Sequence, residues 1–493
     1  DLDRVMIDMS GNYGVGKDTD GNDLFTDTLM GIEEVYGTDG NDTILGSTTT
    51  RWLSGDEGDD SIVGGDHSGY TEGLAGGAGD DTLDGGSFSD TDPGNSVDYS
   101  WYDGGSGVSV DIDYTHNGSG SYTGSAVDGF GDTDTLIDIN WFTLSDYADE
   151  ISITIDDQDS GSDTVWFIWG NDGADTIAGT SGEEVAVMYF DDPGGVVVNL
   201  DAGSVADGWG NTDELTDIFQ VSGSNNGSDD IDGTSSDDHF FGSAYGDFLD
   251  GLGGSGDMVD YSWIDGVNDT TYVEVDLSAG EASGYDSAYT ILFTDDLANI
   301  EGAGGTNYGN DSLVGDSGDN LIEGYGGDDT ISGGAGGVDT LKGGDDGDLF
   351  KLGDSSTYDV ITDFSDSQSD LLHIEESNAG FTYSAYGYVG EFTYASSGSP
   401  ESAMDYKIIA VMGQASADWS DRSTVIENSL SYFSDYDSET HFLISNGVDS
   451  RFYFFEADTD VSGHIEDDEL HFLAEFEGIT DVTEFTDSNV DIA

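Results

Sequence analysis

A nine-residue unit, repeated five times between Thr306 and Lys351 with one inserted residue, constrains this chain more than any other feature. The units read T-N-Y-G-N-D-S-L-V, G-D-S-G-D-N-L-I-E, G-Y-G-G-D-D-T-I-S, G-G-A-G-G-V-D-T-L-K and G-G-D-D-G-D-L-F-K. Each joins a Gly-rich, Asp-bearing half to a short x-apolar-x half. The first half must turn sharply and reach positive φ, which Gly does at least cost. Its carbonyls and the Asp at the sixth place offer hard oxygen ligands of the kind that suit calcium. The second half reads as a three-residue strand with Leu313, Leu321, Ile331, Leu341 and Phe350 pointing inward, so that two units make one coil and coils stack.

Stacking completes each ligand set with a neighbour two units away. Asp311 and Asp329 are 18 residues apart, while Asn320 and Asp339, and Asp329 and Asp348, are 19 apart because of the insertion. Without a cation these carboxylates would form a partly buried row of like charges, which is strongly unfavourable. Folding is therefore expected to require the ion.

Composition agrees with a turn-rich β protein. The chain of 493 residues has 106 Asp and Glu against 8 Lys and Arg, a formal charge of -98. Charge of this size alone would suggest disorder, but 11% aromatic residues, 75 periodically placed glycines and only 3 prolines do not. Nucleic acid is excluded as a partner, because phosphate binding needs clustered Lys and Arg, and an anionic membrane surface is disfavoured for the same reason. With no cysteine, stability must come from packing and metal rather than disulfides or thiolate zinc. No apolar run approaches the ~20 residues of a membrane span and no signal peptide is recognisable. The start at Asp1 rather than Met is read as processing or a fragment. The acidity suits both calcium binding and solubility in seawater or brine, since even ~20 divalent ions would leave most of the charge uncompensated.

Four times a strand-rich segment precedes a block of nonapeptides. V-D-Y-S-W-Y-D-G from Val97 and V-D-Y-S-W-I-D-G from Val259 nearly coincide, with related openings at Val5 and Val187. Alternating strands follow, V-S-V-D-I from Val108, V-V-V-N-L from Val196 and V-E-V-D-L from Val273, and then D-T-L-x-x-I-like strands from Asp27, Asp134 and Asp213. The expected division is β modules at 1–36, 97–169, 185–223 and 259–305, repeat blocks at 37–96, 170–184, 224–258 and 306–351, and a C-terminal region at 352–493. Sixth-place acids are Asp42, Asp60 and Asp81 in the first block, Asp175 in the second, and Asp229, Asp238, Asp247 and Asp257 in the third. The fourth carries Asp311, Asp329, Asp339 and Asp348. In the unit from Gly46, Arg51 stands where Asp belongs; no ion is expected there, with the guanidinium replacing its charge. Asn320 and Glu184 put two further positions in doubt, and Ser236 and Tyr245 replace fourth-place glycines.

Past Lys351 the repeat stops. D-V-I-T-D-F from Asp359, which contributes Asp363 as a candidate ligand, and S-D-L-L-H-I from Ser369 read as a cap over the end of the roll. Farther on, D-T-D-V-S-G-H-I-E-D-D-E matches a calcium loop, with Asp458, Asp460 and Ser462 as side-chain ligands, the His464 carbonyl and a bidentate Glu469.

These repeats resemble the RTX (hemolysin-type) family of calcium-binding proteins, and the resemblance covers most of the chain. The stretch from Arg451 to Ala493 is similar to the C-terminal region of type I secretion substrates. The resemblance implies export from a Gram-negative bacterium, with folding outside the cell once calcium is met. It leaves activity open, because such repeats accompany enzymes, toxins, adhesins and surface-layer proteins alike.

No catalytic motif appears: there is no H-E-x-x-H, no G-x-S-x-G, and the 7 histidines are scattered. Among 106 acids, adjacency of two carboxylates is weak evidence for a glycosidase pair. Trp101, Trp263, Tyr99 and Tyr261 could stack on sugar rings, but their matched positions in two modules favour packing. The expected molecule is all-β and elongated, with calcium-bound parallel β-roll (β-helix) blocks alternating with small antiparallel β modules. It is expected not to be an enzyme. Its expected role is structural: a secreted subunit, outside the cell or on its surface, of a layer, sheath or filament that self-associates with calcium, from a marine or saline source. The alternatives are an adhesin fragment binding a cell-surface glycan, or the repeat part of an enzyme or toxin.

Overall fold

The computed structural model describes residues 2–352, apart from 66–70, 87–94, 103, 116–122, 157–164, 181–183, 265 and 268–269, together with 359–364 and 370–374. Beyond these it describes only the backbone strands at 393–395, 408–411, 440–445, 450–455, 470–476 and 490–492. Two compact units, Asp1–Ser243 and Ala244–Ala493, make up the chain. Among the described residues no helix is long and apolar enough to cross a membrane.

In the first unit the chain winds between two sheets. One is wholly parallel and runs from Glu34–Thr38 and Trp52–Glu57 through Glu72–Ala78, Asn95–Asp98, Trp141–Thr143 and Trp166–Trp169 to Val185–Val187, Gln220–Ser222 and His239–Phe241. The other stacks Thr43–Leu45, Ser61–Val63 and Thr82–Asp84 in parallel. The central residue of each short strand faces the opposite sheet: Ile44, Ile62 and Leu83 on one side and Leu53, Leu74 and Val97 on the other are fully buried. Burying each such side chain contributes roughly 1.5–3 kcal/mol, and the three-residue strand is just long enough to place one.

The antiparallel modules are three-stranded meanders built into the second of these sheets. Ser109–Thr115, Thr123–Val127 and Thr133–Ile137 form one. Its last strand lies parallel to the preceding roll strand Thr82–Asp84, and its first strand lies parallel to the following one, Glu150–Asp156. The meander of Val197–Asn199, Ser204–Ala206 and Thr212–Thr216 is joined in the same reversed order, to Asp230–Asp232 and Thr176–Ala178. Each meander thus gives three strands to a sheet where a plain coil gives one. Their hairpins are closed by Asp side chains that accept backbone N–H groups, as Asp128 does from Phe130, Gly131 and Asp132.

The first meander, Arg4–Asp8, Tyr13–Lys17 and Asp23–Thr28, joins the roll through Arg4–Asp8 alongside Thr43–Leu45. Among the described residues its third strand, Asp23–Thr28, has no partner on its far side, and every residue in it is exposed.

The second unit repeats the plan. Its meander is Tyr272–Asp276, Glu281–Tyr285 and Ile291–Ala298, flanked by Phe248–Asp250 and Ser312–Val314. The roll then continues through Thr330–Ser332 and Leu349–Leu352, with Gly302–Gly304, Leu321–Glu323 and Thr340–Lys342 opposite. In the strand Leu321–Glu323 the inward residue is Ile322, fully buried, whereas Leu321 is 40% exposed. The inward place lies two residues after the sixth, so the expectation for Leu321 is corrected by one position. Asp359–Ile361 and Leu371–Ile374, expected as a cap, each add a parallel strand, and Leu470–Phe476 and Val490–Ile492 pair onto them. The segment therefore prolongs the roll.

Candidate calcium ladder

Every short strand of the meander-bearing sheet follows a turn whose acid sits two residues before the inward apolar side chain. These acids form a ladder. Asp42 N–H donates to Asp60 Oδ1 at 2.6 Å, Asp60 N–H to Asp81 at 2.8 Å and Asp81 N–H to Asp134 at 3.0 Å. The same rungs link Asp149 to Asp175 and Asp175 to Asp213, and in the second unit they link Asp311, Asp329, Asp348 and Asp370 in turn. All of these acids are at most 4% exposed.

Each rung satisfies one carboxylate oxygen and leaves the question of the other. In Asp60, Asp81, Asp175, Asp329 and Asp348 the second oxygen is buried and has no hydrogen-bond partner in the protein. It points at the glycine that opens the turn: a Cβ on Gly324 would collide with Asp329 Oδ2 and with the Gly343 carbonyl oxygen of the next coil, and one on Gly55 would meet Asp60 Oδ2 and the Gly76 carbonyl. Carboxylate and carbonyl oxygens thus converge with no donor between them. Leaving a buried charged acceptor unpaired costs several kcal/mol, and a hard cation bound by oxygens removes that cost. Among the described residues no three Asp, Glu or His side chains gather at one point, so carbonyls must supply much of the coordination. These residues fit calcium. Substituting Gly324 by Ala should abolish ion binding at this turn and lower the calcium-dependent melting temperature.

In the ion-free protein several ladder acids hold a proton more tightly than a free carboxylate does. Burial, with neighbouring carboxylates adding to it, pushes Asp329 up to about 9, Asp175 to about 8, and Asp60, Asp81 and Asp348 to about 7. Burial and the facing Asp359 carboxylate raise Asp339 in the same way. Asp128, in the meander hairpin, buries another unpartnered oxygen, and its charge adds to the rise at Asp81 and Asp134.

At the meanders a phenol takes the second oxygen. Tyr99, Tyr189 and Tyr261 donate to Asp134, Asp213 and Asp295 at 3.1, 2.9 and 2.7 Å, and all three rings are buried. Tyr99 and Tyr261 therefore have no face to offer a sugar. Trp101 is 57% exposed but lies 5.4 Å from Trp52, on the outer side of the all-parallel sheet. Replacing Tyr261 by Phe removes the phenol donor at Asp295 Oδ2 and should cost about 1–3 kcal/mol, read as a lower melting temperature at saturating calcium.

Of the expected ligands, Asp42, Asp229, Asp238 and Asp311 are buried but their second oxygens accept backbone N–H groups. Asp247 and Asp257 are buried, Asp247 donating its N–H to Asp295 and Asp257 to Glu301. Asp363 differs from the ladder acids: its two oxygens accept from Gly343 and Gly344 N–H at 2.9 and 2.8 Å. Asp458, Asp460, Ser462, His464 and Glu469 lie outside the described residues.

The opposite edge, in the turns before the all-parallel sheet, is less acidic. Arg51 turns outward to an exposed Glu33 at 4.0 Å, so its guanidinium does not replace an ion within the turn. In the next coil the fully buried Glu72 accepts Gly65 N–H. At Asn140 and Asn320 the amide nitrogen donates to the carbonyls of Val165 and Glu301, a neutral bond where the acid turns need a cation. The acids Asp134, Asp149, Asp213, Asp295 and Asp370 were not anticipated as ladder members. Their signal was an acid two residues before an inward Leu or Ile, without the G-G-x-G spacing of the nonapeptide.

The RTX calcium-binding nonapeptide repeat family matches residues 27–50, 52–68, 74–92, 167–183 and 305–337. No curated protein matches the chain. The matched segments hold the turns of Asp42, Asp60, Asp81, Asp175, Asp311 and Asp329, and with the stacked coils and orphaned carboxylates they show that this all-β chain carries RTX calcium-binding nonapeptide repeats, whose residues fit multiple calcium ions.

Proposed function

We propose that the protein is a secreted, calcium-folded structural subunit that associates with further copies of itself outside the cell. The observation that carries this reading is the open edge of the first meander. The third strands of the other meanders, Thr133–Ile137, Thr212–Thr216 and Ile291–Ala298, each lie beside a roll strand. Their equivalent, Asp23–Thr28, offers the same edge with nothing on it among the described residues, and Leu24, Phe25 and Met30 around it are 48%, 44% and 78% exposed. An exposed edge with apolar side chains is a template for another strand. A roll strand of a second copy would close it as Thr82–Asp84 closes Thr133–Ile137. The role is structural rather than catalytic, and the acidic exterior suits a permanently wet, salt-screened setting.

Electron microscopy of the purified chain in millimolar calcium should show ordered fibres or sheets that disperse in chelator. A Leu24→Lys, Phe25→Lys variant should bind the same amount of calcium yet fail to assemble. Monomers throughout the millimolar calcium range would overturn the reading and favour a second one, in which a preceding coil of a longer chain covers this edge and the protein is part of an adhesin.

A further inference from the structure

The repeat turns fall into two classes that the repeat signature does not separate. In the first, the acid's second oxygen is orphaned, as in Asp60, Asp81, Asp175, Asp329 and Asp348. The residue following the turn's opening position is then Asp56, Gly77, Asn171, Tyr325 or Gly344, and every one has a positive φ, from 61° to 109°. For the non-glycine members this conformation is costly, and its effect is that no backbone N–H at that place reaches the carboxylate.

In the second class the same place is Ser or Thr, and none of these residues has positive φ. Thr38, Ser145, Ser224, Thr234 and Thr306 donate their N–H groups to the second oxygens of Asp42, Asp149, Asp229, Asp238 and Asp311. Hydroxyls add to this: Thr306 Oγ1 lies 3.0 Å from Asp311 Oδ2, Ser145 Oγ 2.7 Å from Asp149 Oδ1. Donors here fill the space that stays open in the first class, so both carboxylate oxygens are hydrogen-bonded without an ion.

The two classes occupy fixed places. Four of the five closed turns face the first strand of a meander, whose opening N–H at Val5, Val108, Val196 or Val273 donates to the acid's other oxygen. On the other flank the phenols of Tyr99, Tyr189 and Tyr261 cap the meander's own acid. We infer that calcium enters only the open turns, and that the meanders beginning at Ser109, Val197 and Tyr272 are each flanked by a Ser/Thr-closed turn and a Tyr-capped acid that need no ion. The second-place residue, rather than the sixth-place Asp alone, sets whether a turn takes calcium.

This assignment rests on the calcium reading of the repeats and is independent of assembly. Native mass spectrometry of the full chain in calcium counts bound ions. Asp60→Asn should lose at least one ion and Asp42→Asn none. Thr306→Gly, which frees the second place to adopt positive φ, should gain one. Equal losses from Asp42→Asn and Asp60→Asn, or an unchanged count in Thr306→Gly with circular dichroism showing the native fold, would overturn the assignment. A wild-type chain that binds no calcium would instead overturn the calcium reading on which it rests.

Discussion

Excess chelator at about pH 8 is expected to abolish most of the β-sheet signal in circular dichroism, and acidifying the same sample to about pH 5 is expected to restore much of it. The reason lies in the protons of the open turns. In the unfolded chain these aspartates titrate near the ordinary carboxylate value, whereas in the ion-free fold burial pushes them up to about 7 to 9. The native state therefore binds more protons than the unfolded state between those limits. The stability contributed by protonation is fully present below the unfolded value and is lost as pH rises through about 7 to 9. With calcium present the dependence reverses, because an ion must displace the same protons and acid weakens its binding. Thermal melts across this pH range, with chelator and with calcium, should give curves of opposite slope. A metal-free protein that grows more stable from pH 5 to pH 8 would refute the assignment of buried, unpaired carboxylates to the open turns.

The roll was readable in the chain because one nonapeptide determines both the turn and the inward residue. Where two apolar residues adjoin, as at Leu321 and Ile322, residue type does not decide which faces in; the offset from the sixth place does, and it selects Ile322. The alternating strands from Val108, Val196 and Val273 were equally visible, but their partners were not. That the last strand of a meander joins the preceding coil depends on which long-range edge is free, a choice that local alternation does not encode. The same gap hid Asp134 and Asp295 as ladder members: their turns lack the glycine signature, and only the parallel pairing beside Thr82–Asp84 and Phe248–Asp250 brings them into line with Asp81 and Asp247. The closed turns were hidden for a different reason. G-T-D-G-N-D and G-D-E-G-D-D look equivalent as acid-bearing repeats, and the difference between Thr38 and Asp56 acts through backbone conformation rather than charge.

A double substitution of Asp329 and Asp348 by Ala should raise the calcium concentration needed to fold the second unit by about tenfold or more, since each tenfold corresponds to only about 1.4 kcal/mol. Both acids sit in adjacent open turns, and Asp329 N–H donates to Asp348, so the substitutions remove two carboxylates and the rung between them. Asp229→Ala should behave differently. Asp229 accepts N–H groups from Val196 and Ser224 and the Ser243 hydroxyl, so its loss strands donors rather than an ion. That costs about 1–3 kcal/mol at every calcium concentration and should leave the calcium dependence of that loss flat. The two effects separate in a calcium titration followed by circular dichroism and repeated at several temperatures: the double variant shifts the midpoint along the calcium axis, while Asp229→Ala lowers the melting temperature by a similar amount at low and saturating calcium. Equal midpoint shifts would mean that donors from within the turn do not substitute for the ion, and the ladder would then be calcium-bound along its whole length.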